Sequence, residues 1–222
     1  MEKLPSNKYI WEISYPIILG MLAQNVINVT DVAFLGRVGE VELGASAIGG
    51  LFYIVIFMLG LGFGSGAQIL MARRNGEKNY AQIGSIMDHS LYFLVGMAVF
   101  IFFSIQFIAP SILGTLISSP AVYAKTMDFL HYRIIGLVFA FIIVIFRSFY
   151  IAITRTLWIT LTAVIMAVVN VILAYGLIFG KLGFPMMGIA GAGLASSIAE
   201  AFAAIVFIIV TLRQKDLKKY CL

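Results

Sequence analysis

Six runs of apolar residues, each long enough to cross a bilayer as a helix, take up nearly all of this 222-residue chain. They lie at about 9–36, 45–71, 85–109, 126–153, 157–180 and 189–212, and charges, glycine or proline bound each one. About 20 apolar residues in a helix cover the hydrocarbon core, where only a structure that satisfies its own backbone hydrogen bonds is stable. The pattern predicts an all-α integral membrane protein, a six-transmembrane-helix bundle over residues 1–212 with a polar tail over 213–222. The first run contains Pro16, Asn28 and Asp31 and no A-x-A pattern closes it, so it reads as a helix and not as a signal peptide.

Composition narrows the function. With 62% hydrophobic and 11% charged residues, the chain lacks the polar surface of a soluble enzyme and is too apolar for disorder. Cys221 is the only cysteine, and His89 and His131 stand too far apart for a zinc or haem motif. No GxxxxGK[ST], HExxH, GxSxG or paired intramembrane aspartate motif occurs, so the chain is expected to be no enzyme and to need no cofactor. The stretch GLGFGSGA holds a loose GxGxxA, but inside an apolar helix it points to packing. Gly60, Gly62, Gly64 and Gly66 form two overlapping GxxxG pairs, and Gly188, Gly191, Ala192, Gly193 and Ala195 form a second small-residue face. The sequon Asn28-Val29-Thr30 falls within a span and is read as coincidence.

The net charge of +5 is explained by basic loops on the cytoplasmic side, so no nucleic-acid partner is expected. Of 15 Lys and Arg, 10 fall on the side of the termini: Lys3, Lys8, Arg73, Arg74, Lys78, Arg155, Arg213, Lys215, Lys218 and Lys219. Arg37, Lys125 and Lys181 fall on the other side, and Arg133 and Arg147 lie inside the fourth span. Both termini are therefore expected in the cytoplasm.

Polar groups at bilayer depth are costly, so each needs a reason. Gln24, Asn28 and Asp31 recur on one helical face and form a polar stripe, with Asp31 near the outer end. Ser196 and Glu200 share a face of the sixth span, with Glu200 near mid-membrane. Such a carboxylate can carry a proton, help to hold a hard cation, or bond a neighbouring helix, Arg133 or Arg147. Asn170 in the fifth span lies at about the depth of Ser196, so Asp31, Asn170 and Ser196 can meet in the outer half. A carboxylate, an amide oxygen and a hydroxyl suit a proton or Na+ better than a soft metal. Asp88, His89, Asp128, His131, Arg133 and Arg147 lie nearer span ends and suit interfacial pairing or snorkelling. Pro16 permits a bend in the first helix, either static or coupled to ion occupancy.

The segments PIILGMLAQNVINVTDVAFLGRVGEVELGASAIGG and GLGFGSGAQILMARRNGEKNYAQIG resemble the first two helices of the multidrug and toxic compound extrusion (MATE) family. YRIIGLVFAFIIVIFRSFYIAITRT and VVNVILAYGLIFGKLGFPMMGIAGAGLASSIAE resemble its helices four to six. The resemblance implies export of cationic or amphipathic compounds in exchange for Na+ or H+ across the plasma (inner) membrane. It assigns Asp31 to the coupling ion, Pro16 to the bend, Asn170 to the cation site, and Ser196 to a position where many members have threonine. Ala174 stands where many have Asp or Asn, a departure for which Glu200 is a candidate compensation. The family has two six-helix lobes, and this chain matches the first; RQKDLKKYCL resembles the start of the cytoplasmic linker. A second lobe, from a longer chain or a homodimer, and the lipid bilayer are the implied partners. A lipid-linked oligosaccharide flippase and a non-transporting half-length scaffold are the alternatives.

Overall fold

The computed structural model describes residues 7–221, so Lys3 of the charge argument and Leu222 of the tail lie outside the described residues. The helices are α1 (Asn7–Val38), α2 (Glu40–Gly76), α3 (Tyr80–Leu116), α4 (Pro120–Arg133), α5 (Leu137–Ala152), α6 (Leu157–Phe179) and α7 (Ile189–Arg213). They make six crossings long and apolar enough for a membrane, because α4 and α5 together form the fourth. Their apolar composition and internally satisfied backbone make this a multi-pass membrane protein. The 37 residues of α2 and of α3 would extend roughly 55 Å, well beyond the hydrocarbon core.

Local sequence sets the helix ends. A single residue, Gly39, separates α1 from α2. Ser119 caps α4 by accepting from the Val122 N–H, and Pro120 follows at a position where its missing N–H costs nothing. Gly180 ends α6 with φ 65°, a left-handed conformation that glycine adopts without strain.

The expected fourth helix over 126–153 is interrupted by a 3-10 turn at Ile134–Gly136. The Ser197 hydroxyl of α7 accepts from the Gly136 N–H at 3.1 Å and donates to the Tyr132 carbonyl at 2.7 Å. A Cβ on Gly136 would lie 2.8 Å from the Ser197 oxygen and from an Arg133 nitrogen, so the tight approach requires glycine.

The bundle has one end that carries the start of α1 and the end of α7, called the terminal end, and a far end where α1 meets α2, α3 meets α4 and α6 meets α7. α1 leans on α6, α6 on α7, and α7 on α4 and α5, while α2 packs against α3, α4 and α5. Of the glycines in the expected GxxxG pairs, Gly60 and Gly64 face Phe141, Val144 and Ser148 of α5, whereas Gly62 and Gly66 face open space. The tail forms a 3-10 turn over Lys215–Tyr220 and docks at the terminal end, burying Leu217 and Tyr220. The Tyr220 ring sits edge-on, 5.5 Å from Tyr80 and 5.5 Å from Phe149.

Candidate cation and substrate site

Asp31, Asn170 and Ser196 converge from α1, α6 and α7 in the far half of the bundle. At 1.5 Å per residue, each is roughly 10 to 14 Å from the far end of its helix. The Asn170 amide donates to the Ser196 hydroxyl at 3.1 Å, and the Asp31 carboxylate stands beside the same hydroxyl. Asn170 is 1% exposed. Asp31 Oδ1 and Asn170 Oδ1 are both buried and accept no hydrogen bond. A buried acceptor without a donor costs about 1 to 3 kcal/mol, so the two that flank this hydroxyl are free to accept from a donor or a cation brought to them.

Ala174, one turn beyond Asn170, is fully buried in an apolar layer with Leu35, Leu177 and Ile178. No oxygen enters the group from that position.

Glu200 does not join these oxygens as a free ligand. Both of its carboxylate oxygens are taken by Arg133, at 2.7 Å and 2.6 Å. The paired guanidinium lies 3.8 Å from the centroid of the Tyr53 ring. The Tyr53 hydroxyl, buried beside the pair, completes no hydrogen bond. A bidentate Arg–carboxylate pair is strong and neutral, and removing one partner from such a buried pair costs about 3 to 5 kcal/mol. Tyr53 escaped the sequence reading because one phenol in an apolar, glycine-rich span carries no periodic signal.

The expected polar stripe on α1 is divided. Gln24 and Asn28 are exposed on the surface of the lobe, and Asp31 is half-buried toward α7. Pro16 lies near the terminal end of α1, where its carbonyl accepts from the Thr160 hydroxyl of α6. Asp128 and His131 are exposed and line a groove of about 240 Å³ between α3 and α4. Asp88 is exposed, and His89 lies 2.7 Å from the Ser85 carbonyl of its own helix. Arg147 is half-buried and makes no ion pair among the described residues.

Six packed crossings with a polar group held among three of them define a helical membrane lobe. The MatE family model matches residues 16–176, and the chain belongs to that family. A probable multidrug resistance protein NorM of Agrobacterium fabrum is 30% identical over 99% of this chain and 49% of its own length. That of Rhodopseudomonas palustris is 30% identical over 95% of this chain and 44% of its own. The chain thus spans about half the length of the curated relatives it matches. Among solved structures, the eukaryotic MATE transporter AtDTX14 superimposes with a TM-score of 0.87 at 21% identity, covering 96% of this chain and 47% of that one. That likeness supports the fold.

Proposed function

We propose that the chain is one lobe of a secondary active exporter that moves cationic or amphipathic compounds outward in exchange for Na+ or H+. Asp31, Asn170 and Ser196 bind the coupling ion. The observation that carries this reading is the pair of unsatisfied buried oxygens on Asp31 and Asn170, flanking the Ser196 hydroxyl. Three hard oxygens, one anionic, suit Na+, and a proton on Asp31 would instead turn an unsatisfied acceptor into a donor.

Exchange requires that ion and substrate favour different states of the protein. α1 carries both Asp31 and Pro16, so ion occupancy at one end of the helix is coupled to its bend at the other. Gln24 and Asn28 face a substrate cleft completed by a second six-helix lobe, from a longer chain or a second copy. The termini lie in the cytoplasm and the lobe in the plasma (inner) membrane. Glu200 acts through Arg133 and contacts no ion.

The test uses the full chain reconstituted in liposomes, with ethidium as the substrate probe and an imposed Na+ or pH gradient. Gradient-driven ethidium movement is expected, with loss in Asp31→Asn at equal membrane insertion. Full retention in the variant would overturn the assignment.

A further inference from the structure

We infer that Arg133 is a resident competitor of the coupling ion: it neutralises Glu200 when the ion sits on Asp31 and turns toward Asp31 when the ion leaves. This rests on the reading of Asp31 as the ion-binding carboxylate. Ser196, beside Asp31, and Glu200, beneath Arg133, are one turn apart on the same face of α7. Side chains at that spacing have Cβ atoms about 5 to 6 Å apart. A long guanidinium held on Glu200 therefore needs to move only about one helical turn to meet Asp31.

The exchange has a built-in replacement. Among the described residues, the buried side-chain atoms without a hydrogen bond are Asp31 Oδ1, Asn170 Oδ1 and the Tyr53 hydroxyl, and all three border this cluster. With Arg133 on Glu200, the Tyr53 hydroxyl is idle. When Arg133 swings to Asp31, Tyr53 donates to the carboxylate left behind, and Asp31 gains the donors that it lacks. Each arrangement pairs Arg133 with one of the two buried carboxylates and leaves the other to a second partner, so a cation bound at Asp31 can decide between them. The charged and titratable groups facing the exchange are Asp31 on α1, Tyr53 on α2, Arg133 on α4 and Glu200 on α7.

Arg133 also precedes the 3-10 turn at Ile134–Gly136. Gly136 lies against Glu200, Arg133 and Ser197. Movement of the guanidinium is thereby felt at the break in the fourth crossing, which makes Arg133 a positioning residue for ion release.

The experiment measures half-saturation by Na+, and separately by H+, of the full chain in nanodiscs, read from ligand-dependent hydrogen exchange on α1 and α7. Arg133→Gln removes the competitor and should tighten ion binding about tenfold, within the usual range for coupled sites. Glu200→Gln frees Arg133 for Asp31 and should weaken ion binding by a similar factor. Arg133→Lys should stay near the parent. Opposite signs for two halves of one ion pair are what a purely structural role would not produce. Should either single variant fail to fold, the neutral pair Arg133→Gln with Glu200→Gln is the substitute, with tighter binding expected. Shifts of the same sign, or none, in a chain that still responds to ion through Asp31 would overturn the inference and leave the proposed function standing. A parent chain with no Asp31-dependent response to either ion would overturn both.

Discussion

The hydroxyl of Thr160 donates to the carbonyl oxygen of Pro16, joining α6 to α1 at the one proline inside that helix. Proline removes a helical N–H and weakens the ladder around it. An outside donor at this point holds the two helices together where α1 is easiest to bend. Thr160→Val keeps the shape of the side chain and deletes the donor. The expected cost is about 1 kcal/mol of local stability, read as faster amide hydrogen exchange over 12–20 with little change elsewhere. Unchanged exchange would show that Thr160 does not restrain the bend.

The glycine pattern of α2 predicts a sharp contrast between neighbours. A Cβ on Gly64 would collide with Val144 and lie 3.3 Å from the Ser148 hydroxyl, which itself donates to the Gly64 carbonyl at 2.9 Å. Gly60 is closed in the same way by the Phe141 ring, while Gly62 and Gly66 have nothing within 4 Å. Gly64→Leu should lower stability by about 1 to 3 kcal/mol through overpacking. Gly62→Ala should stay within about 0.5 kcal/mol of the parent. Thermal unfolding in detergent, measured side by side, checks the pair.

How much of this was legible beforehand depended on whether the signal was local. Hydropathy found all six crossings because span length is a property of each segment alone. Depth along each helix was enough to bring Asp31, Asn170 and Ser196 to one level, and they do meet. The phase of α2 was not legible: the four glycines offered two overlapping pairs, and only α5, with Phe141 and Val144, selects Gly60 and Gly64. The break after Arg133 was hidden as well, since it depends on Ser197 and Glu200, more than 60 residues away. Glu200 had several partners open to it, and geometry chose Arg133. The expected face of Gln24, Asn28 and Asp31 is divided, because periodicity could not show that only Asp31 turns toward α7.

Asn170 should show a conflict between stability and ion binding. Its amide oxygen is buried without a donor, so Asn170→Ala relieves a desolvation cost while giving up the bond to Ser196. These two terms are of similar size, about 1 kcal/mol each, and the melting temperature should change little. Ion half-saturation should nonetheless rise about tenfold, a factor worth about 1.4 kcal/mol. A large drop in stability with unchanged ion response would mean that Asn170 is a packing residue.

At the terminal end, the docked tail offers a test by pH. Arg155 donates to the Asp216 carboxylate at 2.6 Å and to Gln214 at 3.0 Å. The hydrogen bond from Arg155, then one from the backbone of Asp216 itself, holds this carboxyl below the usual carboxylate range. A depressed folded-state value means that the contribution is fully present above the unfolded value of about 3.9 and is lost as pH falls through the folded one. Hydrogen exchange over 215–221, corrected for its intrinsic pH dependence, should therefore be flat from about pH 8 to 5 and rise only in stronger acid. Asp216→Asn should have a small effect, because surface ion pairs contribute little. Leu217→Ala should open the tail, since Leu217 is buried at the base of the bundle. Gly84→Val should do so at every pH, because a side chain there would collide with the Tyr220 carbonyl. If Asp216→Asn opened the tail as fully as Leu217→Ala, the ion pair and not the buried leucine would be holding it.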